Sequence, residues 1–112
     1  MKNKILLLVS LFLLSMPSYA SFHCTVDVTR VLVYANGDVN VLHSGRGNFT
    51  VICNLNAPLN NVAVTTCAMW TSMLQSIQKA DAQAIFYYSG TGTCAGIETY
   101  GSAPTPVYIG SI

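Results

Sequence analysis

An enzyme needs an acid, a base, a nucleophile or a metal ligand at a defined spacing, and the supply here is thin. His23 and His43 are the only imidazoles. Neither stands in H-E-x-x-H, the helical pair that holds zinc beside a general base. Asp27, Asp38, Asp81 and Glu98 are scattered, so nothing in their spacing points to the paired carboxylates of a glycosidase. No G-x-S-x-G elbow presents a serine nucleophile. Ser89-Gly90-Thr91-Gly92-Thr93 is glycine-rich, but it lacks the lysine of a phosphate loop and no helical pattern follows, so it reads as a bare turn. His43 reads as an exposed strand histidine, with a pH-sensitive contact as the other reading. The expectation is no catalytic residue, no metal and no cofactor. A small hydrolase working through His43 or one of the four acids ranks last.

The four cysteines, Cys24, Cys53, Cys67 and Cys94, contain no C-x-x-C pair, the close spacing that structural zinc sites need. An even count in an exported chain points instead to two disulfides.

The aromatic residues carry more. Tyr34, Phe86, Tyr87, Tyr88, Tyr100 and Tyr108 come from several segments. Tyrosine offers a flat apolar face for a sugar ring and a hydroxyl for its polar edge. Tyr34, Tyr87, Tyr100 and Tyr108 are therefore the candidate carbohydrate-binding residues. The plainer reading puts Phe86 in the core with tyrosines capping it. Alternation along a strand gives Phe86 and Tyr88 one face and Tyr87 the other. Trp70 belongs to an apolar helical stripe and is expected in the core rather than beneath a sugar.

The start of the chain sets the compartment. Lys2 and Lys4 precede an almost unbroken apolar run from Ile5 to Leu14, Pro17 interrupts it, and Ser18-Tyr19-Ala20 supplies small residues for a signal peptidase. That is a secretory signal in three parts. The run is shorter than the about 20 residues of a membrane helix, so no membrane insertion is expected. We expect a signal peptide over residues 1–20, cleavage between Ala20 and Ser21, and a single mature domain over residues 21–112, secreted or periplasmic. An uncleaved anchor is the alternative. Only 8% of residues are charged, against about a quarter in an average soluble domain. After cleavage Arg30, Arg46 and Lys79 stand against Asp27, Asp38, Asp81 and Glu98. No basic patch remains for nucleic acid or anionic lipid. A surface rich in Asn, Ser, Thr and Tyr suits sugars or self-association, and equally a lightly charged exported protein.

These residues must be held by a few elements. Cys24–Tyr34 is rich in β-branched residues, but Arg30 interrupts its apolar face and the opposite face becomes apolar from Val31. Such a strand bends or carries a bulge. Asn36-Gly37 predicts a tight hairpin with both residues at positive φ. Val39–His43 returns, Ser44–Gly47 turns, and Asn48–Leu55 is a third strand. Thr65 or Thr66 can cap a helix, in which Trp70, Met73, Leu74 and Ile77 form one stripe. It should end near Ala80 to Ala82. Ala84–Tyr88 is a fourth strand, Ile97–Tyr100 begins an extended segment, and Val107–Ile112 closes the chain after Pro104 and Pro106, which bar a regular central strand.

The order β-β-β-α-β-β is that of an OB-fold-like five-stranded barrel, mainly β with one helix. An open antiparallel sheet with a helix across it is the alternative. In the barrel Tyr34 opposes Val39 and Cys53 falls near the level of Tyr34, leaving Cys24 about 30 Å away along the first strand. Bridged cysteines have Cα atoms within about 7 Å, which disfavours Cys24–Cys53. The fourth strand runs antiparallel to the first, which favours Cys24–Cys94, and Cys53–Cys67 then ties the third strand to the helix. The pairing Cys53–Cys94 with Cys24–Cys67 stays open.

Cys67-Ala68-Met69-Trp70, the apolar helix, the Ala84–Tyr88 strand, Cys94 and the ending Tyr100-Gly101-Ser102-Ala103-Pro104-Thr105-Pro106-Val107-Tyr108-Ile109 resemble small secreted bacterial proteins akin to the B subunits of subtilase-cytotoxin-type and pertussis-like toxins. The resemblance implies an OB-fold subunit, a homo-oligomeric ring of five, and binding of cell-surface glycans that are often sialylated. Catalysis would belong to a separate A subunit. No sugar-binding serine can be assigned to a position of this chain from the resemblance. The expected protein is thus exported, disulfide-bonded, non-enzymatic and carbohydrate-binding, and a homo-oligomer. The second reading is a monomeric secreted or periplasmic module that binds or inhibits another protein.

Overall fold

The structure is a computed structural model and describes residues 20–112. The expected signal segment lies outside the described residues except for Ala20. Five strands and one α-helix follow in the order β1 (Ser21–Val33), β2 (Asp38–His43), β3 (Phe49–Asn54), α1 (Val64–Lys79), β4 (Gln83–Ser89) and β5 (Tyr108–Ser111), with a single 3-10 turn at Cys94–Gly96 between β4 and β5. The fold is mainly β with one helix, and the element order is the one expected. The strands form one antiparallel sheet in the order β3-β2-β1-β4-β5. Its β3 edge meets the segment before β5 through an isolated parallel bridge between Thr50 and Tyr100. There Tyr100 N donates to Phe49 O at 2.8 Å, and Val51 N to Tyr100 O at 3.1 Å. Of the extended segment expected from Ile97, only this bridge forms, because Tyr100 turns the chain at a φ of 52°.

β1 serves both halves of the sheet. Ser21–Asp27 pair with β4, whereas Val28–Val33 pair with β2. A bulge between Val28 and Arg30 separates the two stretches. It reverses which residues face inward: Cys24, Val26 and Val28 are buried before it, and Val31 packs against the core after it. This is the face change that Arg30 announces in the sequence.

The β1–β2 hairpin differs from expectation. Only Gly37 takes positive φ, at 94°, and the loop is Ala35-Asn36-Gly37, closed by Gly37 N to Tyr34 O and Tyr34 N to Asp38 O, each 2.9 Å. The register therefore sets Val33, not Tyr34, opposite Val39. This three-residue loop places its single left-handed residue last. A Cβ on Gly37 would meet Asn54 Oδ1 at 2.7 Å, so the site also needs the missing side chain.

Helix α1 starts at Val64 after Ala63, with no side-chain cap. Thr65 and Thr66 lie inside its first turn rather than capping it. The Cys53–Cys67 disulfide fixes this end instead, with its Cα atoms 5.6 Å apart. Trp70, Leu74 and Ile77 are buried and Met73 packs against the core, as the stripe requires. Each such side chain contributes about 1.5–3 kcal/mol of burial. The helix ends in a Schellman motif, with Ala82 N donating to Ile77 O and Asp81 N to Gln78 O. Asp81 holds the left-handed position at φ 53°, which aspartate tolerates better than most residues.

The second disulfide joins Cys24 to Cys94, with Cα atoms 5.8 Å apart. Two disulfides fit an oxidising, exported environment. No helix among the described residues is long and apolar enough to cross a membrane.

Candidate functional site

An open cleft of about 260 Å³ lies where the start of β1 and the end of β4 meet the chain that follows them. Phe22 lines it on the β1 side. Its ring stacks on Tyr88 of β4, 5.1 Å between centroids and 16° between planes. One wall is the loop from Ser89 to Thr93, through Ser89, Thr91, Gly92 and Thr93, and the other comes from Gly96, Ile97, Glu98, Ser102 and Pro104.

The loop wall is tied down at several points. Gly90 N donates to Ala20 O at 3.0 Å in the uncleaved chain, a bond that cleavage after Ala20 would remove. Cys94 is bonded to Cys24, two residues beyond Phe22. Thr93 Oγ1 accepts from Gly96 N at 3.2 Å and so caps the short 3-10 turn. That bond uses the oxygen as an acceptor and leaves the hydroxyl proton of Thr93 for a ligand. Gly92 sits against Phe22, where a Cβ would come within 2.9 Å of Phe22 Cε1.

The far wall is held from β2. Arg46 donates through Nε to Ile97 O, and Arg46 N donates to His43 Nδ1 at 3.3 Å. His43 is buried, with 1% of its surface exposed, which corrects the expectation of an exposed strand histidine. Alternation along β2 puts it on the same inward face as Val39 and Val41, and β1 pairing sets it opposite Val28. Burial pulls its pKa down to about 4, so the ring is neutral, with Nδ1 accepting and the proton on Nε2.

Among the described residues Glu98 is the single ionisable side chain lining the cleft, and it is exposed. The other polar groups are the hydroxyls of Ser89, Thr91, Thr93 and Ser102. A flat apolar ring beside converging hydroxyls and one carboxylate can hold a small polyhydroxylated ligand. Two-carboxylate hydrolysis needs a partner acid about 5–10 Å away, and among the described residues no second acid lines the cleft. Among the described residues no group of three or more His, Cys, Asp and Glu could hold a metal.

The four tyrosines singled out in the sequence stand elsewhere. Tyr87 on β4 and Tyr108 on β5 are cross-strand neighbours and stack, 4.9 Å apart with planes 2° from parallel. His23 opposes Tyr87 from β1, so the three form a row on the face of the sheet opposite Phe22. Tyr100 is half exposed and tilted against Phe49 at 6.3 Å. Tyr34 stands at the β1–β2 hairpin, 43% exposed. Only Tyr87 and Tyr108 come together, and none of the four lines the cleft. Phe22, Glu98 and the hydroxyls of the Ser89–Thr93 loop escaped the sequence reading. One signal was present: five hydroxyl or glycine residues in a row immediately before a cysteine that must be tethered.

No family model, no curated protein and no solved structure matches the chain.

Proposed function

We propose that this is an exported, non-enzymatic carbohydrate-binding protein whose sugar site is the Phe22–Thr93–Glu98 cleft. One observation carries the reading: an aromatic ring, fixed by stacking, lies beside four hydroxyls and a carboxylate in a cleft about the size of one or two sugar rings. The apolar face of a pyranose suits Phe22, and its hydroxyls suit the polar walls. The disulfide at Cys94 keeps the loop wall in place, which lowers the ordering cost of binding.

In this reading the protein resembles a toxin B subunit and acts as a homo-oligomer, because a shallow site gains useful strength from several copies. Strand edges suited to such association are available. The edge of β1 towards β4 is unpaired with β4 beyond Asp27, and β5 ends the sheet. Any catalytic A subunit would be a separate chain. The tyrosines Tyr34, Tyr87, Tyr100 and Tyr108 are then surface outside the primary sugar site.

A second reading, a monomeric secreted or periplasmic module that binds or inhibits a protein, is favoured by Leu32, Val33 and Tyr34, three successive exposed apolar residues at the end of β1. Light scattering on the oxidised protein spanning residues 21–112, followed by a glycan array, separates the two. A multimer that binds glycan, and loses binding with Phe22→Ala while still folded, supports the first. A monomer that binds no glycan removes it.

A further inference from the structure

We propose that two copies of this chain dock through the outer face of β1, β2 and β3, across a two-fold axis that passes by Asn40. The inference goes beyond the carbohydrate reading. It names the surface through which copies meet, and it does not depend on what the cleft holds.

Strand register defines the face. Val39, Val41, Ile52 and Cys53 belong to the core, and Val31 packs against it. Alternation sends their neighbours to the other side of the sheet. Leu32, Asn40 and Val51 stand there in one row, and Arg30, Leu42 and Phe49 in the next. None of the apolar members of these rows joins the core. Tyr100 leans on Phe49, and Leu32 is 37% exposed.

Two observations point to a second copy as the occupant. Asn40 lies at the centre of the face, 1% exposed, and neither its Nδ2 nor its Oδ1 has a hydrogen-bond partner among the described residues. A buried amide left unpaired is unfavourable until a group that both donates and accepts reaches it. A second Asn40 is such a group, and a two-fold axis sets the amides against each other so that each donates to the other. Leu32 flanks the amide across the strands. Being partly exposed, it changes rotamer as the copies meet and lets the amides touch.

The second observation is charge. Arg30 and Asp38 stand on opposite sides of the Asn40 row along the strands, each about 7–8 Å from Asn40 by strand spacing. An axis through Asn40 that lays Arg30 over Asp38 of the second copy also lays Asp38 over its Arg30. Asn54 and Asn36 donate to the Asp38 carboxylate and hold it in place for that pair. One chain thus carries both halves of each polar match, within an apolar surround.

The test is sedimentation equilibrium over a concentration series of the oxidised protein spanning residues 21–112. Wild type should be a dimer. Leu32→Asp, folded by its melting temperature, should weaken association at least about thirtyfold. Arg30→Glu should weaken it about tenfold, and Arg30→Glu with Asp38→Arg should restore it, as reciprocal pairing requires. Asn40→Val should also weaken it; unchanged association of that folded variant takes the amide pair out of the interface and overturns the proposal. Folded wild type that stays monomeric to millimolar concentration overturns it as well, whether or not glycan or another protein binds. A multimer whose mass neither Leu32→Asp nor Arg30→Glu alters has its interface elsewhere, which again overturns it. A dimer that Leu32→Asp disperses, and that binds nothing on a glycan array, supports this inference and removes the carbohydrate reading alone.

Discussion

The imidazole of His43 on β2 rests against the ring of Phe86 on β4, with 4.9 Å between centroids and planes tilted by 48°. Two strands that β1 separates within the sheet thus meet through the interior. The contact has a consequence for acid stability. The folded-state pKa of His43 is depressed to about 4 by burial, whereas an unfolded histidine titrates near 6.5. Between those values the unfolded chain binds more protons, so stability is complete above about pH 6.5 and is lost as pH falls towards 4. We expect about 2 kcal/mol to be lost between pH 7.5 and pH 5. His43→Asn keeps an acceptor for Arg46 N and does not titrate, so its urea midpoint should change much less over that range. An unchanged slope in the variant would assign the acid sensitivity to other groups.

The two disulfides should separate functionally. Cys24–Cys94 closes a separation of 70 residues and Cys53–Cys67 one of 14. Loop entropy assigns them about 4 and about 3 kcal/mol. The double variant Cys24→Ala with Cys94→Ala should lose stability and also weaken glycan binding, since it frees the loop wall. Cys53→Ala with Cys67→Ala should lose stability alone. Denaturant unfolding paired with binding on each variant checks both, and equal effects on binding would contradict the assignment.

Adjacent positions on α1 should respond in opposite ways. Trp70 is 8% exposed and Met69 is 70% exposed. Trp70→Ala should cost about 3–5 kcal/mol through the cavity it leaves, while Met69→Ala should stay within about 0.5 kcal/mol. Thermal melts of the two proteins give the comparison.

Gly92 is the tightest point between loop and ring. Gly92→Val would drive side-chain atoms into Phe22, because even a Cβ reaches to 2.9 Å of Cε1. The exposed loop should shift rather than the stacked ring. We expect glycan binding to fall at least tenfold, with a loss of stability of no more than about 1 kcal/mol. Titration of a bound oligosaccharide beside a melting curve checks this, and unaltered affinity would move the site away from the cleft.

Much of the framework was legible along the chain because it rests on local periodicity. The Trp70–Ile77 stripe places one helix, and the apolar shift around Arg30 foretells the bulge in β1. Phe86 and Tyr88 alternate inward as a half-buried strand requires. The errors have local causes too. The hairpin loop is one residue longer than Asn-Gly alone suggests, because Asn36 Oδ1 accepts from Asp38 N at 3.0 Å and leaves only Gly37 left-handed. The helix needs no threonine cap because a disulfide holds its start. His43 was misjudged from its type, although its spacing from Val39 and Val41 puts it on the buried face.

The candidate site was far less legible. Tyrosines drew attention by composition, but burial and pairing scattered them over separate parts of the surface. What the sequence by itself determined is the set of elements, their order and the covalent need of a small, weakly charged domain, because each depends on neighbours a few residues apart. Only the tertiary structure decided which side chains share a cleft. Phe22 lies about 70 residues before Thr93 and Glu98 along the chain, and the β1–β4 register together with the Cys24–Cys94 bond brings them around one cleft. Long-range pairing of that kind leaves no periodic trace in a single sequence.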